Sequence, residues 1–144
     1  MGIIPSGDML GEGARKEVRL LVVDEQGEHY EHIQTFADMY IPQAVIECKL
    51  AEGAEEAGRV MDSWSPSVVL LDIHLMSDAL GLIGELTQKG AAVVALSEVR
   101  IPTLVQTAQA YGAVGYFAKS NNPDDIEALM AYVTSIATSS VVSH

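Results

Sequence analysis

The run Val68-Val69-Leu70-Leu71-Asp72 constrains this chain more than any other stretch. Four successive aliphatic residues, opening after Pro66 and too few for a helix, read as a strand covered on both faces, the signature of a parallel sheet. The run ends in a carboxylate. An ionised carboxylate is costly to bury unless it is paired, hydrogen-bonded or bound to metal. Asp72 therefore needs partners, and the fold must deliver them to the end of this strand.

Taken in order, the remaining residues supply a repeating unit. Residues 1–16 hold four of the twelve glycines and a proline without sustained periodicity, and read as a flexible N-terminal arm. Val18 to Val23 is a second aliphatic strand, also ending in acid, Asp24-Glu25. Helix-spaced Ile33, Phe36, Ala37 and Tyr40 follow, closed by Pro42. Ala44 to Leu50 alternates like an edge strand, and from Gly53 a helix carries Ala54, Ala57, Val60, Met61 and Trp64 towards the core. After the central strand, Leu82, Ile83 and Leu86 mark a short helix ending at Lys89-Gly90. Ala91 to Leu96 is a fourth strand ending in Ser97, and Pro102 opens a helix through Leu104, Val105 and Ala108 to Gly112. Val114 to Ala118 is the fifth strand, ending in Lys119. Asn122-Pro123-Asp124-Asp125 supplies a cap, a first-turn proline and two first-turn acids to a helix with Ile126, Leu129, Met130, Val133 and Ile136 on one face. Residues 139–144 read as a frayed C-terminus, leaving residues 17–138 as the domain.

Five strands alternating with five helices specify an α/β doubly wound parallel sheet with helices on both faces. At 144 residues, 49% hydrophobic and 19% charged, the chain suits one compact domain. A net charge of -12, with only eight Lys and Arg, argues against direct nucleic-acid or anionic-membrane binding. The lone Cys48 cannot form an internal disulfide and reads as a small buried hydrophobe, which fits a reducing cytoplasmic setting. No apolar run reaches the length of a spanning helix, and no secretion signal opens the chain. Met1-Gly2-Ile3-Ile4-Pro5-Ser6 formally fits a myristoylation signal but reads as chance, since nothing basic follows it closely.

Doubly wound sheets place their sites at the carboxyl ends of the strands, so Asp24, Glu25, Asp72, Ser97 and Lys119 are expected at one edge. Three carboxylates at one point repel unless a cation lies among them, and hard oxygen donors with room for water suit Mg²⁺. Lys119 would add a fixed positive charge and Ser97 a hydroxyl donor. These are the parts needed to stabilise a phosphoryl group, with Asp72 as the nucleophile that accepts it.

With V-V-D-E at Val22 to Glu25, V-L-L-D-I at Val69 to Ile73, A-L-S at Ala95 to Ser97 and G-Y-F-A-K at Gly115 to Lys119, the chain resembles the receiver domains of bacterial two-component response regulators, the chemotaxis regulators among them. The likeness covers roughly Val18 to Ile136. It implies a flavodoxin-like strand order 2-1-3-4-5. It also implies that Asp24 and Glu25 help hold Mg²⁺, together with Asp72 and the main-chain carbonyl of His74. Asp72 would take a phosphoryl group from the phosphohistidine of a sensor histidine kinase or phosphotransfer protein, with Ser97 and Lys119 contacting it. Ser97 and Tyr116 would be the switch residues, altering a surface read by a downstream protein or by an output domain outside these residues. Such a domain is no conventional enzyme, beyond its own phosphorylation and dephosphorylation, and self-association into a homodimer is left open.

The chain also departs from the family pattern. Met76 stands where proline is usual, Gly81 comes about one residue late, the acid Glu98 replaces a small residue after Ser97, and Ser120 replaces a frequent proline after Lys119. The competing reading is therefore a receiver-like interaction module that does not use phosphate. Two others weigh less. Asp72-Ile73-His74 opens a pattern that resembles cobalamin-binding modules, with Ser77 where glycine belongs, and a haloacid-dehalogenase-like phosphatase would need aspartate at His74. His29 and His32 lie three apart on a helix, within sharing distance of a metal. With no cysteine or third histidine nearby, a solvated face is expected for them.

Overall fold

The structure, a computed structural model, describes residues 16–25, 27–40, 44–73, 78–99 and 101–142. The elements run β1 (Lys16–Val23), α1 (Gly27–Tyr40), β2 (Ala44–Ala51), α2 (Ala54–Trp64), β3 (Val68–Asp72), α3 (Ala79–Gln88), β4 (Ala92–Ser97), α4 (Pro102–Ala110), β5 (Gly115–Ala118) and α5 (Pro123–Val142). All strand pairs are parallel and the sheet order is β2-β1-β3-β4-β5, the flavodoxin-like arrangement expected from the sequence.

Strand alternation divides the interior in two. Leu21, Val23, Val69, Leu71, Val93 and Ala95 face α2, α3 and α4, packing on Met61, Leu82, Ile83, Leu86 and Ala108. Leu20, Val22, Val68, Leu70, Val94 and Leu96 face α1 and α5, packing on Ile33, Ile126, Leu129, Met130 and Val133. Every residue of β3 is buried, because helices cover both of its faces. The outer strands differ: β2 alternates between exposed and half-buried positions, and β5 is half-buried for three of its four residues.

Local signals behave as their chemistry requires. Asn122 caps α5 by accepting the Asp124 N–H at 2.8 Å, with Pro123 in the first turn. Gly90 follows α3 with φ +103, a conformation glycine adopts without the steric cost borne by other residues. Two boundaries differ from expectation. Lys16 and Glu17 belong to β1, paired with Ala44 and Val45, so the expected arm is shorter by at least Lys16. Helix α5 continues to Val142, past the frayed end expected from 139, because no glycine or proline interrupts it. The rest of the arm, residues 1–15, lies outside the described residues. No described helix is long and apolar enough to cross a membrane.

Candidate functional site

Strand parity decides which side chains meet at the carboxyl edge. Val22 pairs with Leu70 in register, and both face α1 and α5. Two residues on, Asp24 and Asp72 have the same parity at the tips of adjacent strands, as Lys119 does two residues beyond the inward-packed Phe117. The backbone holds these tips in strand-like positions. The N–H of Asp24 donates to Ala51 O at 2.9 Å, that of Ile73 to Leu96 O at 3.0 Å, and that of Lys119 to Ser97 O at 2.8 Å.

The Lys119 ammonium lies between the two carboxylates, 2.7 Å from Asp72 Oδ2 and 2.9 Å from Asp24 Oδ2. Both acids are about 1% exposed, so water screens this cluster little. Burial alone would pull the lysine down, but hydrogen bonds to Asp72 and Asp24 and the charges behind them outweigh it, holding the ammonium above its ordinary pKa. Lys119 therefore stays charged across physiological pH. It reaches from the tip of the last strand past β4 to the tips of β3 and β1.

Glu25 does not join them. With the ladder bond at Asp24 turning that side chain inward, the next residue faces out, and Glu25 is exposed. The three-carboxylate cluster expected from the sequence is thus a pair, and among the described residues no group of three or more His, Cys, Asp or Glu lies close enough to hold a metal. The carbonyl assigned to His74, together with Met76 and Ser77, lies outside the described residues. The pair still fits Mg²⁺, which is commonly held by only one or two carboxylates, keeping waters and ligand oxygens for its other positions.

Ser97 is buried, and its Oγ accepts the Val99 N–H at 3.2 Å, a turn-stabilising bond that leaves its own hydrogen to donate. It does not cap α4, whose N-cap residue is Ile101. Tyr116, half-buried against the core facing α2 to α4, donates its phenolic hydrogen to Val99 O at 3.1 Å. Val99 thus ties the hydroxyl position to the aromatic one, a link the sequence does not announce.

His29 was expected on a solvated face and is instead 3% exposed. The signal was present: His29 shares the helical phase of Ile33, Phe36 and Ala37, so it turns inward with them. Its Nε2 lies 3.1 Å from Ser120 O, while Nδ1 has no partner among the described residues. Burial, then the nearby Lys119 ammonium, pushes its pKa below the ordinary value, against the opposing pull of Asp24. His29, Glu28, Glu98, Lys119, Ser120 and Asn121 line a cleft of about 150 Å³ at this edge. Glu98, exposed, lines the same cleft as Lys119.

No protein-family model and no curated protein sequence matches this chain. Solved structures do match it. A response regulator from Thermotoga maritima superposes with a TM-score of 0.73 at 19% identity, covering 85% of this chain and 98% of that one. A two-component response regulator from Clostridium difficile gives 0.71 at 20%, covering 84% and 96%. The BeF3-activated N-terminal receiver domain of Klebsiella pneumoniae RstA gives 0.67 at 20%, covering 79% and 96%. The chain has the response-regulator receiver fold.

Proposed function

We propose that this chain is a phosphoacceptor signalling domain of a two-component system, receiving a phosphoryl group on Asp72 and switching a partner-binding surface. The observation that carries the reading is the buried Lys119 ammonium held between Asp24 and Asp72 at the tips of adjacent central strands. The receiver fold of the matched structures supports it.

In this reading an Asp72 carboxylate oxygen attacks the phosphorus of a phosphohistidine on a sensor kinase or phosphotransfer protein. The new O–P bond forms as the P–N bond breaks, and the departing imidazole nitrogen takes its proton from solvent. Lys119 exchanges its contact with Asp72 Oδ2 for the phosphoryl oxygens, whose negative charge it offsets in a site largely closed to water. The Ser97 hydroxyl donates to the same oxygens. Doing so draws on the Ser97–Val99–Tyr116 link and alters the surface around β5. Mg²⁺, held by Asp24 and Asp72 with Glu25 and the His74 carbonyl as the further candidates, would supply neutralising charge for a second anion beside Asp72.

Intact-mass measurement and peptide mapping after incubation with phosphoramidate and Mg²⁺ test the reading. Wild type should gain the mass of one phosphoryl group on the peptide carrying Asp72, and Asp72→Asn should gain none. A second reading, a docking module independent of phosphate, draws on the acid Glu98 lining the same cleft as Lys119. An unmodified wild type with no Mg²⁺-dependent response to beryllofluoride would favour it.

A further inference from the structure

Helix α1 and the segment after β5 belong to opposite ends of the chain, and β1 and β5 are separated in the sheet by β3 and β4. Two contacts nevertheless join them. Lys119 reaches Asp24, and one residue further on the Ser120 carbonyl meets His29. With the short run from Asp24 to His29, these contacts close a ring that holds the Lys119 backbone from both sides. Its N–H is fixed on Ser97 O and the following carbonyl on His29.

The imidazole is an unexpected choice at this position. It shares the apolar face of α1 with Ile33 and Ala37 and is as buried as they are, so a leucine or methionine would fill the space without burying an Nδ1 that has no partner among the described residues. What an aliphatic side chain lacks is a donor. A carbonyl oxygen can only accept, so the ring must carry its hydrogen on Nε2 to make this bond. Beyond the Lys119 N–H the segment it reaches has no strand ladder, and Ser120 supplies none of the rigidity a proline would give.

We propose that His29 is a positioning residue for phosphoryl transfer: by donating to Ser120 O, it holds the Lys119 ammonium in reach of both carboxylates. The role rests on the phosphoacceptor reading and deepens it. Displacing a charged group from a preorganised site by a fraction of an ångström to an ångström is enough to slow such chemistry, even when the group itself is unchanged.

The test compares wild type, His29→Leu and His29→Gln in the full chain, with phosphoramidate and Mg²⁺ and intact mass as the readout. Gln retains an N–H donor of similar reach and Leu does not. The maximal rate of phosphoryl gain should fall roughly tenfold or more in His29→Leu, with the half-saturating donor concentration unchanged, and His29→Gln should recover most of the loss. Independently of any phosphorylation, the histidine side-chain ¹H–¹⁵N spectrum of wild type should show His29 neutral with its proton on Nε2. A His29→Leu rate within twofold of wild type, a His29→Gln variant as slow as His29→Leu, or a proton on Nδ1 overturns the proposal. A wild type that gains no phosphoryl group under any condition, with the proton on Nε2 as expected, overturns the phosphoacceptor reading and this role with it, while leaving the hydrogen bond established.

Discussion

The Lys119 ammonium stands 2.7 Å from Asp72 Oδ2 and 2.9 Å from Asp24 Oδ2, one cation shared by two buried anions. Removing the cation leaves two carboxylates facing each other without water, whereas removing one anion leaves a balanced pair. Lys119→Met should therefore lower unfolding stability by about 3–5 kcal/mol. Asp72→Asn should cost much less. Urea unfolding of the two variants at neutral pH checks the order, and equal losses would contradict the shared-cation geometry.

The phenol of Tyr116 on Val99 O makes a second prediction. Tyr116→Phe keeps the ring and loses one partly exposed hydrogen bond, so stability should drop by only about 0.5–1.5 kcal/mol. The larger effect should be on coupling. Beryllofluoride with Mg²⁺ should still bind at Asp72, but amide shifts around Val99 and β5 should be reduced relative to wild type. Identical shift patterns would remove Tyr116 from the switch.

The lowered pKa of His29, caused first by burial and next by Lys119, gives stability a pH dependence of known sign. Above about pH 6.5 the ring is neutral in folded and unfolded chains and contributes no slope. Below that value the unfolded chain takes up the proton first, so stability falls with pH, by at most about 1.4 kcal/mol per unit, until the folded value is passed. Urea midpoints between pH 7.5 and 5.5 should decline in wild type and decline less in His29→Leu.

Gly115 makes a prediction about packing. A Cβ there would lie 2.7 Å from Cε2 and 2.9 Å from the hydroxyl of Tyr132, whose phenol donates to Val114 O at 2.6 Å and whose ring sits 5.0 Å from that of Phe117. Gly115→Ala must push the ring away and strain that bond, at a cost of about 1–3 kcal/mol. Adding Tyr132→Leu should recover part of the loss, since the obstructing ring is then gone. Additive losses in thermal or urea unfolding would show that the clash is not the cause.

Much of this architecture could be read from the residues because the signals were local. The continuous run of β3, the Asn122-Pro123 start of α5 and the Lys89-Gly90 stop of α3 each depend on neighbouring positions and behave as read. The meeting of Asp24, Asp72 and Lys119 was legible for a related reason, since in a parallel sheet each residue at a strand end is delivered to one edge. Glu25 was expected beside Asp24, but a strand tip presents alternate residues to opposite sides, and Glu25 stands exposed. His29 was misjudged because polarity was weighed above helical phase. What reversed that weighting is a carbonyl 91 positions further along, and no local pattern in the sequence encodes it.

Leu70 and Leu71 are bonded neighbours in the chain, yet they serve the two separate interiors on either side of the sheet. Substitutions that repack the layer beneath α2, α3 and α4 should leave the layer beneath α1 and α5 nearly untouched, so their energies should sum. Each layer is then free to change its composition across generations at its own pace. Asp24, Asp72 and Lys119 align with the α1 and α5 layer, whereas Tyr116 packs with the other. The charged cluster and the aromatic tied to Val99 are thus exposed to mutation independently.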